Sequence, residues 1–460
     1  MSGMPISFEN VADVSYDPHE EKYWDEASLR RETDRTFDLC HSCRMCFKFC
    51  PSFPDLFNTM DTTADGDVTK FTDADIGRVV DKCYQCKLCY VQCPYTDQDN
   101  HQYNLNFPEL IQRHTNIKAR KQGVPLRDKV LQNADLAGKM NGGLLSSVVN
   151  ASMKVGFHRR VIQALLGVHK DKLMPEFHRT SFIRWWKKNR AQPTRAEAAA
   201  PPPAGDDKVV LFATCFVTYN NPRLGKETVD VLEHNKIEVV VPEQNCCGMP
   251  GLDSGDLDFA LGKMKKNLES LYPYAKAGYK ILAINPTCSL TLKKEYLVYL
   301  DESYKEKARV VSEAVRDVHE YLFELKKEER LNRDFKSTPG KVGYHVPCHL
   351  RAQNIGYRSR DIMKLIPGTK ISLVSECCGH DGTWAMKKEN FEMSLDAGKR
   401  AFEGLKDAKP DKVSTDCPLA ALQIEQGAEL DERPEHPVQI LYKAYREPGQ
   451  GGFENPVPKD

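Results

Sequence analysis

No run of about 18 apolar residues occurs anywhere in the 460-residue chain, so no membrane-spanning helix is expected. Met1–Asn10 contain Pro5 and Glu9 and lack an apolar signal core, so a secretory signal is not expected either. No G-x-G-x-x-G follows a strand-like run, which argues against a flavin or NAD of the chain's own. Net charge is also missing, with 65 basic and 65 acidic residues. Cysteine is not scarce, but sixteen cysteines in a chain this long do not make a small secreted disulfide scaffold. Their C-x2-C clustering implies reduced thiolates and a cytoplasmic location.

What is there begins with two short runs, Cys40-x2-Cys43-x2-Cys46-x3-Cys50-Pro51 and Cys83-x2-Cys86-x2-Cys89-x3-Cys93-Pro94. Each is the four-cysteine run of bacterial ferredoxins, whose fourth cysteine ligates the other cluster. Three thiolates two residues apart wrap three corners of one cubane, and the proline turns the fourth away. Cys40, Cys43, Cys46 and Cys93 are therefore expected to hold one [4Fe–4S] cluster, and Cys83, Cys86, Cys89 and Cys50 a second. Structural zinc sites pair separated C-x2–4-C motifs instead and lack the Cys-Pro tail.

The zero net charge hides an uneven distribution. Residues 111–190 carry 17 Lys/Arg against four acids, whereas residues 1–39 carry ten acids and four bases. We expect an acidic N-terminal extension (1–39), a ferredoxin domain (40–110), a basic amphipathic helical segment (111–190) and an Ala/Pro linker (191–207). Asp73–Val80, acidic at its start with Ile76, Val79 and Val80 following, reads as helix and favours an α-helical ferredoxin domain. In RTSFIRWWKKNR at 179–190, Phe182, Ile183, Trp185 and Trp186 lie among five positive charges. Cationic helices with interfacial tryptophan lie in the plane of anionic membranes, so a peripheral position on the inner face of the cytoplasmic membrane is expected. The competing readings are a bundle helix with a solvated basic face and non-specific nucleic-acid binding; no specific nucleic acid is expected.

The C-terminal half repeats itself. Cys215-x30-Cys246-Cys247-Gly248-x39-Cys288 is matched by Cys348-x28-Cys377-Cys378-Gly379-x37-Cys417. Lys208–Thr214, Ile237–Val241 and Lys280–Ile284 read as strands in the first copy. Lys341–Pro347, Lys370–Val374 and Lys412–Thr415 are their counterparts. Helical stretches at Leu224–Asn235 and Asp258–Leu271 intervene, and this alternation points to parallel α/β units. Each cysteine group then falls where a strand ends, where ligands gather in open α/β sheets. Two modules follow, at 208–335 and 336–446. Chance burial of inert thiols does not explain paired cysteines followed twice by glycine at matched intervals. A redox dithiol at Cys246–Cys247 or Cys377–Cys378 is the other chemical option.

TCFVTYNNPRLGKETVDVL at 214–232, NCCGMP at 245–250, PTCSLTLKKEYL at 286–297, YHVPCHLRAQNIG at 344–356 and CCGHDGTWAMKKENF at 377–391 carry a resemblance. Together with the ferredoxin runs they resemble the CCG-domain iron–sulfur oxidoreductase family, over roughly residues 37–445. That family includes heterodisulfide reductase subunits, the glycolate oxidase iron–sulfur subunit and the C subunit of anaerobic glycerol-3-phosphate dehydrogenase, whose domain order is most similar. The resemblance implies an α-helical di-cluster ferredoxin domain followed by two α/β CCG modules. It also implies one or two further iron–sulfur clusters on Cys215, Cys246, Cys247, Cys288, Cys348, Cys377, Cys378 and Cys417. The function implied is electron transfer between a flavoprotein dehydrogenase or oxidase and a quinone or thiol acceptor. The rivals are a thiol–disulfide reductase and a soluble donor to a rubrerythrin-type peroxidase. The fifth cysteine used in heterodisulfide cleavage is missing, because Ser289, Leu290 and Thr291 follow Cys288, and Pro418, Leu419 and Ala420 follow Cys417. His349 and His380 sit beside ligand cysteines; each is either a donor to cluster sulfur or a histidine satisfied at the surface or in the core. Asp381 and Trp384 are expected to line a cleft between the modules.

Overall fold

The computed structural model describes residues 14–190 and 207–447. The expected linker at 191–207 lies outside these residues except for its last position. The ferredoxin half is built on helices Glu26–Cys43, Ser52–Thr62, Asp73–Asp81, Leu88–Gln92 and Phe107–Gln122. Asp25 caps the first, its carboxylate accepting the Ser28 N–H, and Thr72 and Asp75 form a reciprocal capping box on the third. Arg44 and Lys87 each follow the second cysteine of their run, and each adopts a left-handed conformation, at φ 54° and 59°. That turn ends the helix after Cys43 and starts the next one after Lys87, so each triplet doubles back on itself. Phe37, Phe53, Leu56, Met60, Val79 and Leu110 form the core beneath the cysteines. Asp73–Val80 folds as the expected helix. Of the acidic stretch before Cys40, the part from Glu26 onward forms the body of the helix that carries Cys40 and Cys43, and residues 1–13 lie outside the described residues. There Arg35 is buried against Glu32 at 2.7 Å and donates to the Tyr103 carbonyl at 2.8 Å.

The two cysteine repeats fold as two parallel sheets. The first contains β1 (Asp207–Phe212), β2 (Ile237–Val240), β3 (Lys280–Ala283) and β4 (Val315–Asp317), in the order β2-β1-β3-β4. The second contains β5 (Lys341–His345), β6 (Lys370–Val374) and β7 (Lys412–Thr415), in the order β6-β5-β7. Helices cover the first sheet on both faces, which is why Val209, Val210, Leu211 and Phe212 are all buried with no polar alternation. β4 has three residues, too few for any periodicity, and was not anticipated. The ends of β1 and β3 lead to Cys215 and Cys288, and those of β5 and β7 to Cys348 and Cys417.

The basic segment forms helices Leu126–Leu131, Ala134–Asn141, Ser146–Lys154, Gly156–Leu166 and Phe182–Asn189. Here one expectation is corrected. The tryptophan helix does not offer its apolar side outward: Phe182 and Trp186 are buried in the core of the first module, among Val217 and Leu224. Trp185 packs against that core too, under the Lys226 ammonium at 5.1 Å. An apolar helix face packs equally well on lipid or on protein, and a strong protein partner exists here. The outward apolar surface lies on the preceding helices, at Met140, Leu144, Leu145, Val148, Phe157 and Leu165.

Removing the buried indole tests this packing. Trp186→Ala is expected to cost about 3–5 kcal/mol of stability, read from the denaturant midpoint. A midpoint equal to the wild type would detach this helix from the core.

Candidate metal centres

Each ferredoxin run supplies a thiol to the other. Cys40, Cys43 and Cys46 line one small cavity of about 30 Å³ together with Cys93 from the second run. Burial, then repulsion from Cys93 and Cys43, pushes the Cys46 thiol up to about 12. Cys50 stands with the other triplet: burial and then Cys83 push it up, and Cys50 in turn raises Cys86. Burial raises Cys83 to about 12. Thiols held together in a dry site ionise only around a cation. Four converging cysteines per site fit a cuboidal iron–sulfur cluster.

The CCG cysteines converge in the same way. Cys215 contacts Cys246, Cys246 contacts Cys247, and Cys247 contacts Cys288. The loops that bring them together depend on glycine. Gly248 sits at φ 102° and Gly379 at φ 71°. A Cβ on Gly379 would fall 1.9 Å from the Ser394 carbonyl oxygen. In the second module the Gly379 N–H donates to Cys377 Sγ at 3.2 Å, and the Ala420 N–H to Cys417 Sγ at 3.5 Å. Both donors favour the thiolate.

The four cysteine sets form a file whose order differs from that in the chain. Cys46 of the first ferredoxin set raises Cys89 of the second, after burial. Cys377 of the second module raises Cys50 and Cys86. Cys417 of that module and Cys288 of the first line the same cavity. The ferredoxin half thus meets the second module's cysteines, with the first module's set beyond them. The Tyr84 hydroxyl marks the junction, lying 3.1 Å from Cys377 Sγ and 2.9 Å from the Phe49 carbonyl oxygen.

A cavity of about 330 Å³ opens between the two modules and the basic helices. All eight CCG cysteines line it, together with apolar side chains that include Val130, Ile162, Leu166 and Phe177. Asp381 lines it as expected, and burial pushes its carboxyl up to about 8. Asp253, also in the wall, is raised by burial and then by Asp381. His380 faces the same space with neither ring nitrogen hydrogen-bonded, and burial keeps it neutral. His349 follows the second of the two readings, since both its nitrogens are engaged: Nδ1 with Thr287 Oγ1 at 2.9 Å and Nε2 with the Gln85 carbonyl at 3.0 Å. It is a satisfied core histidine joining all three parts of the fold. Trp384 stacks near Tyr84 at 4.9 Å and donates to the Asp81 carbonyl, so it packs on the ferredoxin half.

Three residues of the site carried no sequence signal. Asp135, from the basic segment, accepts the Cys246 N–H at 2.9 Å and the Lys263 ammonium at 2.8 Å. Lys172 is buried, bonded to Gln423, and pushed down to about 8 by burial while Cys378 opposes the shift. Tyr84, one residue from Cys83, is the third. A lone Asp on a helix, or a lone Lys or Tyr in a loop, has no pattern until its segment is docked.

Gly379→Ala tests the loop geometry. We expect iron and acid-labile sulfide to drop by about one cluster per chain while the ferredoxin clusters persist. Unchanged iron would mean that the loop tolerates a Cβ.

Comparison with known proteins agrees with this architecture. The Cysteine-rich domain family (CCG) matches residues 209–293 and 342–425. The Citrate utilization protein B Fer4-like domain matches residues 33–122. The chain is 30% identical over 417 residues to the C subunit of the anaerobic glycerol-3-phosphate dehydrogenase of Escherichia coli K12, covering 89% of this chain and 99% of that one. It is 31% identical over 231 residues to the B subunit of the fumarate reductase (CoM/CoB) of Methanothermobacter marburgensis, over 49% of this chain and 43% of that one. Lactate utilization protein A of Geobacillus thermodenitrificans is 27% identical over 217 residues, or 46% of this chain and 87% of that one. Sixteen cysteines gathered into converging groups therefore belong to an iron–sulfur electron-transfer subunit of the oxidoreductases, and the chain is a member of the CCG-domain family that includes the C subunit of anaerobic glycerol-3-phosphate dehydrogenase.

Proposed function

We propose that this protein carries electrons between a flavoprotein dehydrogenase or oxidase and a membrane quinone, working on the cytoplasmic face. Its ferredoxin half would hold two [4Fe–4S] clusters, on Cys40, Cys43, Cys46 and Cys93 and on Cys83, Cys86, Cys89 and Cys50. Each CCG module would hold one more, on Cys215, Cys246, Cys247 and Cys288 and on Cys348, Cys377, Cys378 and Cys417. When bound, such clusters pass one electron at a time and so couple two-electron centres such as flavins and quinones. The observation that carries this reading is the unbroken file of cysteine sets, from an exposed end to an apolar cavity. At the exposed end Met45 and Phe47, each 57% accessible, flank Cys46 and suit a protein partner. At the other end the CCG clusters would fill the cysteine-lined part of the cavity, and its apolar wall of Val130, Ile162, Leu166 and Phe177 suits a lipophilic ring beside them.

Reducing a quinone takes two electrons and two protons. Asp381, raised to about 8, is protonated at neutral pH and holds a proton at its carboxyl oxygen facing the cavity. His380 offers a neutral ring nitrogen as a further hydrogen-bond donor to a carbonyl oxygen. A disulfide acceptor is disfavoured by Ser289–Thr291 and Pro418–Ala420, which stand where a fifth cysteine would be needed.

Access from lipid is supported by the basic segment. Among the described residues no helix is long and apolar enough to cross a membrane. Leu144 and Leu165 are nonetheless 79% and 78% exposed, on a segment with 17 cationic and four anionic residues. Apolar side chains amid positive charge favour an anionic bilayer surface. Ile162 and Leu166 line the cavity from one of the helices that expose this surface, so the lipid-facing and cavity-facing sides are contiguous.

Two measurements test the proposal. Anaerobically purified protein should contain about sixteen iron atoms and as many sulfides. Cys417→Ser should lose about four of each, keep reduced ferredoxin-type EPR signals and lose quinone reduction with a reduced dye as donor. Iron for only two cubanes would leave the CCG cysteines acting as thiols. Separately, Leu144→Glu with Leu165→Glu should cut co-sedimentation with anionic liposomes at least about tenfold, while the folded stability stays within about 1 kcal/mol. Undiminished binding would rule out this surface.

A further inference from the structure

Away from the cysteines, a second group of ligand-type side chains meets where the two CCG modules touch. Asp317 ends β4 and caps the helix Val318–Lys327, and His319 stands two residues on. Asp416 follows β7 of the other module. One ligand atom from each of the three lies within 4.8 Å of the other two, and all three residues are buried. We infer that Asp317, His319 and Asp416 bind one divalent cation, with Zn²⁺ the ion that suits them, and that this cation pins the two modules together.

The hydrogen-bond inventory points to a missing ligand. His319 is 1% exposed, yet neither ring nitrogen has a hydrogen-bond partner. Asp317 Oδ1 accepts the His319 backbone N–H at 3.0 Å, and Oδ2 has no partner. Buried polar atoms are almost always paired, so an imidazole with no partner beside an unpartnered carboxylate oxygen needs an explanation. His319 Nδ1 lies 3.4 Å from Asp416 Oδ1, within ion-pair range but outside hydrogen-bond geometry. That spacing is the edge of a tetrahedron whose metal–ligand legs are about 2.0–2.1 Å.

The surroundings hold the ligands in place. The Tyr344 hydroxyl donates to Asp416 Oδ2 at 2.5 Å, and the Ser359 hydroxyl donates to Oδ1. Such outer partners fix the orientation of ligating carboxylates. The capping box of Asp317 with Glu320 fixes the other side. Histidine with two carboxylates is a nitrogen–oxygen set suited to zinc, and it keeps a fourth position for water. Thiolate-seeking metals go to the cysteine sets instead. Asp416 adjoins Cys417, and Asp317 and His319 belong to the module of Cys288. The cation would thus set how the two cysteine groups face one another.

The test is a metal inventory on full-length, anaerobically purified protein, with the zinc K-edge spectrum of the same sample. We expect about one zinc per chain, with only nitrogen and oxygen neighbours at about 2.0–2.2 Å. His319→Ala and Asp317→Asn should each lose that zinc and keep their iron and acid-labile sulfide. No stoichiometric zinc, or a sulfur neighbour at about 2.3 Å, overturns the inference, as does zinc retained by both variants. If His319→Ala does not fold, the isosteric Asp317→Asn and the wild-type spectrum decide the matter.

Discussion

Ionising buried thiols is the constraint on which the rest of this structure depends. Burial raises nearly every cysteine of the four sets, and their mutual repulsion adds to the effect. A polypeptide does not gather so many such groups at so few points without cationic cores to hold. The left-handed turns at Arg44 and Lys87 and the glycine after each cysteine pair serve that convergence. So does the placement of CCG cysteines at strand ends, where backbone N–H groups are free to point at sulfur.

Convergence within each set is local, but the file of sets is a product of docking. Three buried contacts fix it. His349 links the backbone of Gln85 to Thr287. Tyr84 reaches from the ferredoxin half to Cys377. The Lys87 ammonium pairs with Glu295 at 2.5 Å and Glu109 at 3.2 Å, joining the ferredoxin half to the first module. Removing one member of such a buried triad would leave an unpaired charge and so loosen the docking. The ferredoxin half is therefore not a tethered accessory; its position against the second module is specified residue by residue.

Much of the fold was legible in the sequence, and the reasons are physical. Strand-like runs leading toward cysteines mark six of the seven strands to within about two residues; in the first sheet this is because buried parallel strands are continuously apolar. β4 escaped notice because three residues carry no period. The tryptophan helix was misassigned to lipid, since amphipathicity states that a face is buried but not against what. Asp135, Lys172 and Tyr84 were invisible for a related reason: each acts on a cysteine more than 40 residues away in the chain.

By itself the sequence determined the chemistry. Spacing dictates which thiols can share a cluster, and a doubled motif dictates two similar modules, because both follow from short-range geometry. The tertiary structure alone decided the order of the cysteine sets, the walls of the apolar cavity and the meeting of Asp317 and His319 with Asp416. Those depend on which faces bury against each other, a choice made by summed packing across segments hundreds of residues apart, and no local pattern records it.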